Sequence, residues 1–135
     1  MKKLALLSFL SLTTLTAFGA QVVTCTGDNG DKVTLKRYVG TYEAEKRKDW
    51  FTIDINESLV CRYLGEVEGR LLDPYKSETA DVLGDWDGNS GIKISMRKGF
   101  LNSDIGAISK AFLKVNYNDI AEDAVSHVLK CEVTE

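Results

Sequence analysis

QVVTCTGDNGDKVTLKRYV, residues 21–39, holds two alternating runs on either side of a polar turn. In the second run Val33 and Leu35 fall on one face, and Lys32, Thr34 and Lys36 on the other. A period of two is the signature of a strand with one buried face. Asn29-Gly30 lies between the runs, and both residue types tolerate the positive φ that tight hairpin turns need. The stretch therefore reads as a β-hairpin that turns one face toward a core.

The same grammar continues along the chain. WFTIDI (50–55) places Phe51, Ile53 and Ile55 opposite Trp50, Thr52 and Asp54. SLVCRYL (58–64), GEVEGRLLD (65–73), ETADVLGDW (78–86) and GIKISMRK (91–98) follow, then AFLKVNY (111–117) and AVSHVLKCEV (124–133). GTYEAEKRKD (40–49) is charged and reads as a loop or a single helical turn. NSDIGAISKAF (102–112) could start a short helix capped by Ser103, with Ile105, Ile108 and Phe112 on one face. About eight short strands at regular spacing predict an all-β domain, a small antiparallel barrel or sandwich, with at most one short helix.

Residues 1–20 carry a different message. Lys2 and Lys3 precede the apolar run LALLSFLSLTTL, and small residues follow at Ala17, Gly19 and Ala20. That is the layout of a secretory signal peptide, with cleavage expected after Gly19, or after Ala17 or Ala20. The run is shorter than the roughly 20 apolar residues that span a bilayer, and no other run approaches that length. The expectation is a periplasmic or secreted protein without a transmembrane segment, formed by a single domain over residues 21–135. Losing Lys2 and Lys3 with the signal shifts the net charge from −3 to −5. A net acidic chain without a basic run long enough to track phosphates argues against nucleic acid as a partner.

Three cysteines remain after cleavage, Cys25, Cys61 and Cys131. Export makes one disulfide expected, and the odd count leaves a third thiol over. Cys25–Cys131 is the favoured pair, because the first and last strands of a small closed sheet are often neighbours; Cys61–Cys131 is the alternative. With no CxxC spacing and a single histidine, His127, a zinc site has too few ligands.

GDWDGNSG, residues 84–91, concentrates turn formers between two strand candidates. Asp85, Asp87 and Asn89 alternate as calcium ligands can, but the sixth and twelfth places from Asp85 hold Ser90 and Met96, where an EF-hand needs glycine and glutamate. A looser cation site on Asp85, Asp87 and Asn89 and a plain hairpin turn are the readings left. Trp86 stands out as a large aromatic in a polar setting, either a binding hot spot or a lid folded over the barrel end. SGIKI (Ser90–Ile94) resembles the SGxxY loop of bacterial periplasmic lysozyme inhibitors, and VTCTGDNGDKVTLKRY (23–38) is similar to their opening strand and hairpin. Cys131 also fits the cysteine near their C-terminus. The resemblance implies a small disulfide-bonded β-barrel whose Ser90 and Lys93 would face a lysozyme's catalytic carboxylates. Ile94 departs from the pattern, standing where that family has tyrosine, and the chain is longer than those domains.

Catalytic signatures are sparse. His127 sits among apolar neighbours at 125, 129 and 131 and reads as a packed side chain rather than a general base. No GxSxG, HExxH or glycine-rich phosphate loop occurs. The carboxylate pairs Asp85/Asp87, Glu66/Glu68 and Glu122/Asp123 leave room for a carbohydrate-acting envelope enzyme, which needs two opposed carboxylates in a cleft. Asn56-Glu57-Ser58 matches a glycosylation sequon and reads here as a turn. The expected function is a non-catalytic binding module without a cofactor. Its partner would be a protein, or else a small apolar ligand inside the barrel, and the candidate contact residues are Trp86, Ser90 and Lys93.

Overall fold

The computed structural model describes residues 21–42, 47–56, 67–116 and 125–135. Eight strands run in chain order: β1 (Gln21–Thr26), β2 (Lys32–Tyr42), β3 (Arg47–Ile55), β4 (Val67–Tyr75), β5 (Ala80–Asp87), β6 (Ser90–Arg97), β7 (Ile108–Asn116) and β8 (Val125–Val133). Each pairs antiparallel with the next, and β8 returns to pair with β1, so the sheet closes into a barrel. Closure removes both exposed sheet edges. It also settles barrel against sandwich.

The alternation read from the sequence points where it should. Val23 and Cys25 of β1, Val33 and Leu35 of β2, and Phe51, Ile53 and Ile55 of β3 are all buried. Ile92, Ile94 and Met96 of β6 and Leu113 and Val115 of β7 join them. In β4 the alternation breaks, since Val67 and Leu72 are five residues apart yet both buried. The β3–β4 register shifts by one between Ile53↔Arg70 and Ile55↔Val67, which marks a bulge. Gly69 sits in it with φ 61°, and its N–H donates to Asp54 Oδ1 at 2.6 Å. The bulge re-aims the strand so that both apolar residues reach the core.

Cys25 and Cys131 are opposed across the β1–β8 seam and joined by a disulfide, with Cα atoms 3.9 Å apart. Both are fully buried inside the barrel. The favoured pairing therefore holds, and Cys61 lies outside the described residues, as does SLVCRYL. The signal peptide, residues 1–20, lies outside them too. No described helix is long and apolar enough to cross a membrane.

Three readings are corrected. NSDIGAISKAF does not form a helix from Ser103. A 3-10 turn over Phe100–Asn102 comes first, and β7 starts at Ile108, so Ile105, Ile108 and Phe112 are exposed. Gly106, with φ 95°, and the strand alternation that follows it outweigh the helical spacing. GTYEAEKRKD is largely strand at its ends, with β2 reaching Tyr42 and β3 starting at Arg47. β4 does not stop at Asp73-Pro74 but runs through to Tyr75, with Pro74 opposite Leu83.

That 3-10 turn closes one end of the barrel. Phe100 is fully buried and Leu101 nearly so. Two inward-row polar residues hold the plug. The Asp81 carboxylate accepts from the Gly99 and Leu101 N–H groups, both at 3.0 Å. Arg37 Nη1 donates to the Leu101 carbonyl at 2.7 Å and to Asn102 Oδ1 at 2.8 Å. At the opposite end the β1–β2 turn is tied to β3. Asn56 Nδ2 donates to the Gly30 carbonyl, and its Oδ1 accepts from the Lys32 N–H. Asn56, first residue of the sequon, thus does the work of a turn residue.

Candidate binding site on the barrel wall

The GDWDGNSG segment is mostly strand. β5 runs to Asp87 and β6 starts at Ser90, so only Gly88 and Asn89 form the turn. Gly88 has φ 62°, as the first central residue of the primed hairpin turns requires. The ladder runs Gly84↔Lys93, Asp85↔Ile92, Trp86↔Gly91 and Asp87↔Ser90. Because Ile92 points inward, Asp85 shares the inner row, while Trp86 and Lys93 share the outer face. Trp86 is therefore neither in a loop nor folded over the barrel end. It lies on the outside of the wall.

Four outward side chains meet there. Lys93 Nζ lies 5.5 Å from the Trp86 ring centroid and 5.1 Å from that of Tyr75. Lys114, opposite Lys93 on β7, puts its Nζ 5.0 Å from the same Trp86 ring. Two ammonium groups thus lie within cation–π range of the one indole. Hydrogen bonds fix its backbone and its ring. The Trp86 N–H donates to Tyr75 Oη at 3.0 Å, and the indole Nε1–H donates to the Gly88 carbonyl at 2.8 Å.

Two glycines make the arrangement fit. A Cβ on Gly84 would come 3.2 Å from the Tyr75 ring, so the ring lies over the bare backbone. A Cβ on Gly91 would lie 2.8 Å from the Trp86 Cα and overlap the Asp85 carbonyl oxygen. Beyond the turn, Asn116 is almost wholly buried, and its Nδ2 donates to the Asn89 carbonyl at 2.7 Å. The hairpin tip is thereby tied to β7.

Of the three predicted contact residues, Trp86 and Lys93 come together, whereas Ser90 ends the hairpin opposite Asp87 on the other face of β6. Sequence reading missed Tyr75 and Lys114. The alternation of AFLKVNY marks Lys114 as outward, but its meeting with Trp86 depends on the β6–β7 register. Tyr75 lies two residues beyond GEVEGRLLD (65–73), the strand the sequence marks, and joins β4 only in the structure.

Asp85 and Asp87 lie two residues apart in the inward row of β5, opposite Ile92 and Ser90. Asp85 Oδ2 accepts from Arg70 Nε and Nη2, each at 2.8 Å, in a partly exposed ion pair between β5 and β4. The Asn89 carbonyl receives the Asn116 amide. Among the described residues no three His, Cys, Asp or Glu side chains gather closely enough to hold a metal ion. Glu66, Glu122 and Asp123 lie outside those residues. His127 stands in the inward row of β8 opposite Leu113, half-buried, and its Nε2 has no hydrogen-bond partner among the described residues.

Comparison with protein-family models, with curated proteins and with solved structures finds no match for this chain.

Proposed function

We propose that this chain is an exported, non-catalytic binding module that grips a protein partner at the Trp86–Lys93 corner of its outer wall. One observation carries the reading: Trp86 is held on the outer face within cation–π range of Lys93 and Lys114, its backbone fixed by Tyr75 and its ring by the Gly88 carbonyl. Aromatic anchors held rigidly in advance lose little entropy on association, and tryptophan is prominent among interface hot spots. The filled interior supports binding on the outside rather than inside. Phe51, Ile53, Leu72, Leu83, Ile94 and Leu113 occupy the barrel, and Phe100 stoppers it. Export is supported by the signal-peptide pattern of residues 1–20 and by a buried disulfide, a bond that lasts in oxidising compartments. The test is capture of a partner from an envelope extract of the native cell by residues 21–135. Trp86→Ala should abolish capture and leave the fold intact. Equal capture by wild type and variant would place the contact elsewhere.

A second reading has a specific observation in its favour. The resemblance to periplasmic lysozyme inhibitors implies a small disulfide-bonded β-barrel, and the chain forms one with Ser90-Gly91 at a hairpin tip. Lysozyme is the first partner to assay. Inhibition at micromolar protein, lost in Lys93→Ala, would support this reading. Absence of inhibition would remove lysozyme and leave the more general binding role standing.

A further inference from the structure

All the large hydrophobic side chains that stand exposed among the described residues lie on one side of the barrel. They are Ile105 (72% exposed), Ile108 (49%), Phe112 (54%) and Val128 (58%). Phe112 and Val128 are direct cross-strand partners on β7 and β8, Ile108 lies on the same outer row of β7, and Ile105 belongs to the turn that leads into that strand. Exposed apolar residues scattered singly need no explanation, but a gathered set with a polar rim marks an interaction surface.

The charges beside the Phe112–Val128 pair are basic, although the chain as a whole carries −3, while Asp104 and Glu132 stand at the Ile105–Ile108 end. Among the described outward residues of β6, β7 and β8, the charged ones are Lys93, Arg97, Lys110, Lys114 and Lys130 against Glu132. Two pairs of these are directly opposed like charges. Lys110 faces Lys130 one step below the Phe112–Val128 pair, and Lys93 faces Lys114 beside it. Like charges at directly opposed positions destabilise a sheet. Lys93 and Lys114 both lie within cation–π range of the Trp86 ring, which partly relieves them, whereas no described acidic side chain bridges Lys110 and Lys130. An anionic surface laid against this wall would remove the repulsion.

We propose that the β7–β8 wall is a peripheral docking face for an anionic lipid bilayer. Phe112, Val128 and Ile108 would enter the boundary between headgroups and acyl chains, and Lys110 and Lys130, which lie between Ile108 and the Phe112–Val128 pair, would reach out to lipid phosphates. Apolar insertion flanked by cations is the physics of interfacial membrane binding. The shape favours a bilayer over a folded partner. A barrel wall is convex, and a fluid surface conforms to it where a rigid protein would need a matching hollow. This face adjoins the Trp86 corner and shares Lys93 and Lys114 with it, but the side chains proposed to meet the bilayer, Phe112, Val128, Ile108, Lys110 and Lys130, are not those of the protein-binding reading.

Vesicle co-sedimentation of residues 21–135 tests it. Vesicles of phosphatidylglycerol with phosphatidylcholine should retain the protein, vesicles of phosphatidylcholine alone should not, and added salt should weaken retention. Lys110→Gln with Lys130→Gln should lower partitioning by at least about tenfold. Phe112→Ser with Val128→Ser should lower it similarly, while the unchanged barrel is checked by melting temperature. Trp86→Ala should bind vesicles as wild type does, which separates this face from the partner site. Equal retention on neutral vesicles, or none on anionic ones, would overturn the proposal. So would binding to a soluble polyanion such as heparin that survives Phe112→Ser with Val128→Ser, because the face would then recognise charge without lipid.

Discussion

Gly91 lies directly opposite Trp86 in the β5–β6 ladder, and a Cβ there would come 2.8 Å from the Trp86 Cα. Its φ of 137° is one that L side chains rarely adopt. Both the clash and the strain fall on backbone, which cannot yield as a flexible side chain would. Gly91→Ala should therefore destabilise the barrel by about 3 kcal/mol. Urea unfolding of wild type and variant measures it, and a loss below about 1 kcal/mol would mean that the hairpin shifts freely.

Trp86→Ala should behave differently. The indole is half-buried on the outer wall, and its removal forfeits two cation–π contacts and one hydrogen bond to Gly88. Such partly exposed contacts are worth about 0.5–1 kcal/mol each, so loss of the three should lower stability by about 1.5–3 kcal/mol. Partner affinity should fall by about 2 kcal/mol or more if the corner is the hot spot. Thermal melts beside a binding titration separate the two effects. A stability loss above about 4 kcal/mol would make Trp86 a core residue.

Asp81 is the test of the barrel stopper. Its two carboxylate oxygens accept from Gly99 and Leu101 and set the turn that carries Phe100 inward. Asp81→Ala removes both acceptors; the exposed Gly99 N–H can turn to water, whereas the part-buried Leu101 N–H is left unsatisfied, so the variant should cost about 1–3 kcal/mol. Asp81→Asn keeps one acceptor oxygen and should cost less. Hydrogen exchange at Gly99 and Leu101 should speed up in both variants, and unchanged exchange would assign the turn's stability to Phe100 packing alone.

The disulfide links residues 106 apart in the chain. In the chain-entropy picture, closing a loop of that size is worth about 4–5 kcal/mol, and usually less in practice. Cys25→Ala with Cys131→Ala should lower stability by about 2–5 kcal/mol, read as a shifted denaturant midpoint. Reduction of the native protein should be slow, because both sulfurs belong to residues with no exposed surface. Rapid reduction by a mild thiol under native conditions would show that the β1–β8 seam opens readily.

Arg70 and Asp85 span β4 and β5 above the last paired residues, Asp73↔Gly84. Both side chains are more than a third exposed, so solvent screens the pair. A double-mutant cycle with Arg70→Ala and Asp85→Ala should give a coupling below about 1 kcal/mol. A larger coupling would make the pair a structural clasp for the splayed strands.

Much of this molecule is legible from residue order alone. Strand periodicity in KVTLKRYV, WFTIDI and GIKISMRK is a local property, since successive side chains must point to opposite faces. Turn chemistry at Gly88-Asn89 is equally local. The Cys25–Cys131 pairing is an expectation that the chain ends meet, and it is fulfilled only by barrel closure, which depends on β8 finding β1. The bulge at Gly69 depends on which residues of β3 lie alongside. The Trp86 corner is assembled from Tyr75, Lys93 and Lys114 on three other strands, and the Phe112–Val128 pair from two. A change of one residue in register would turn each of these side chains to the other face. The run of residues therefore establishes strands, turns and an apolar side for each, through short-range backbone sterics. Which side chains share a surface follows from pairing between distant segments, where the burial of the whole core selects a single register.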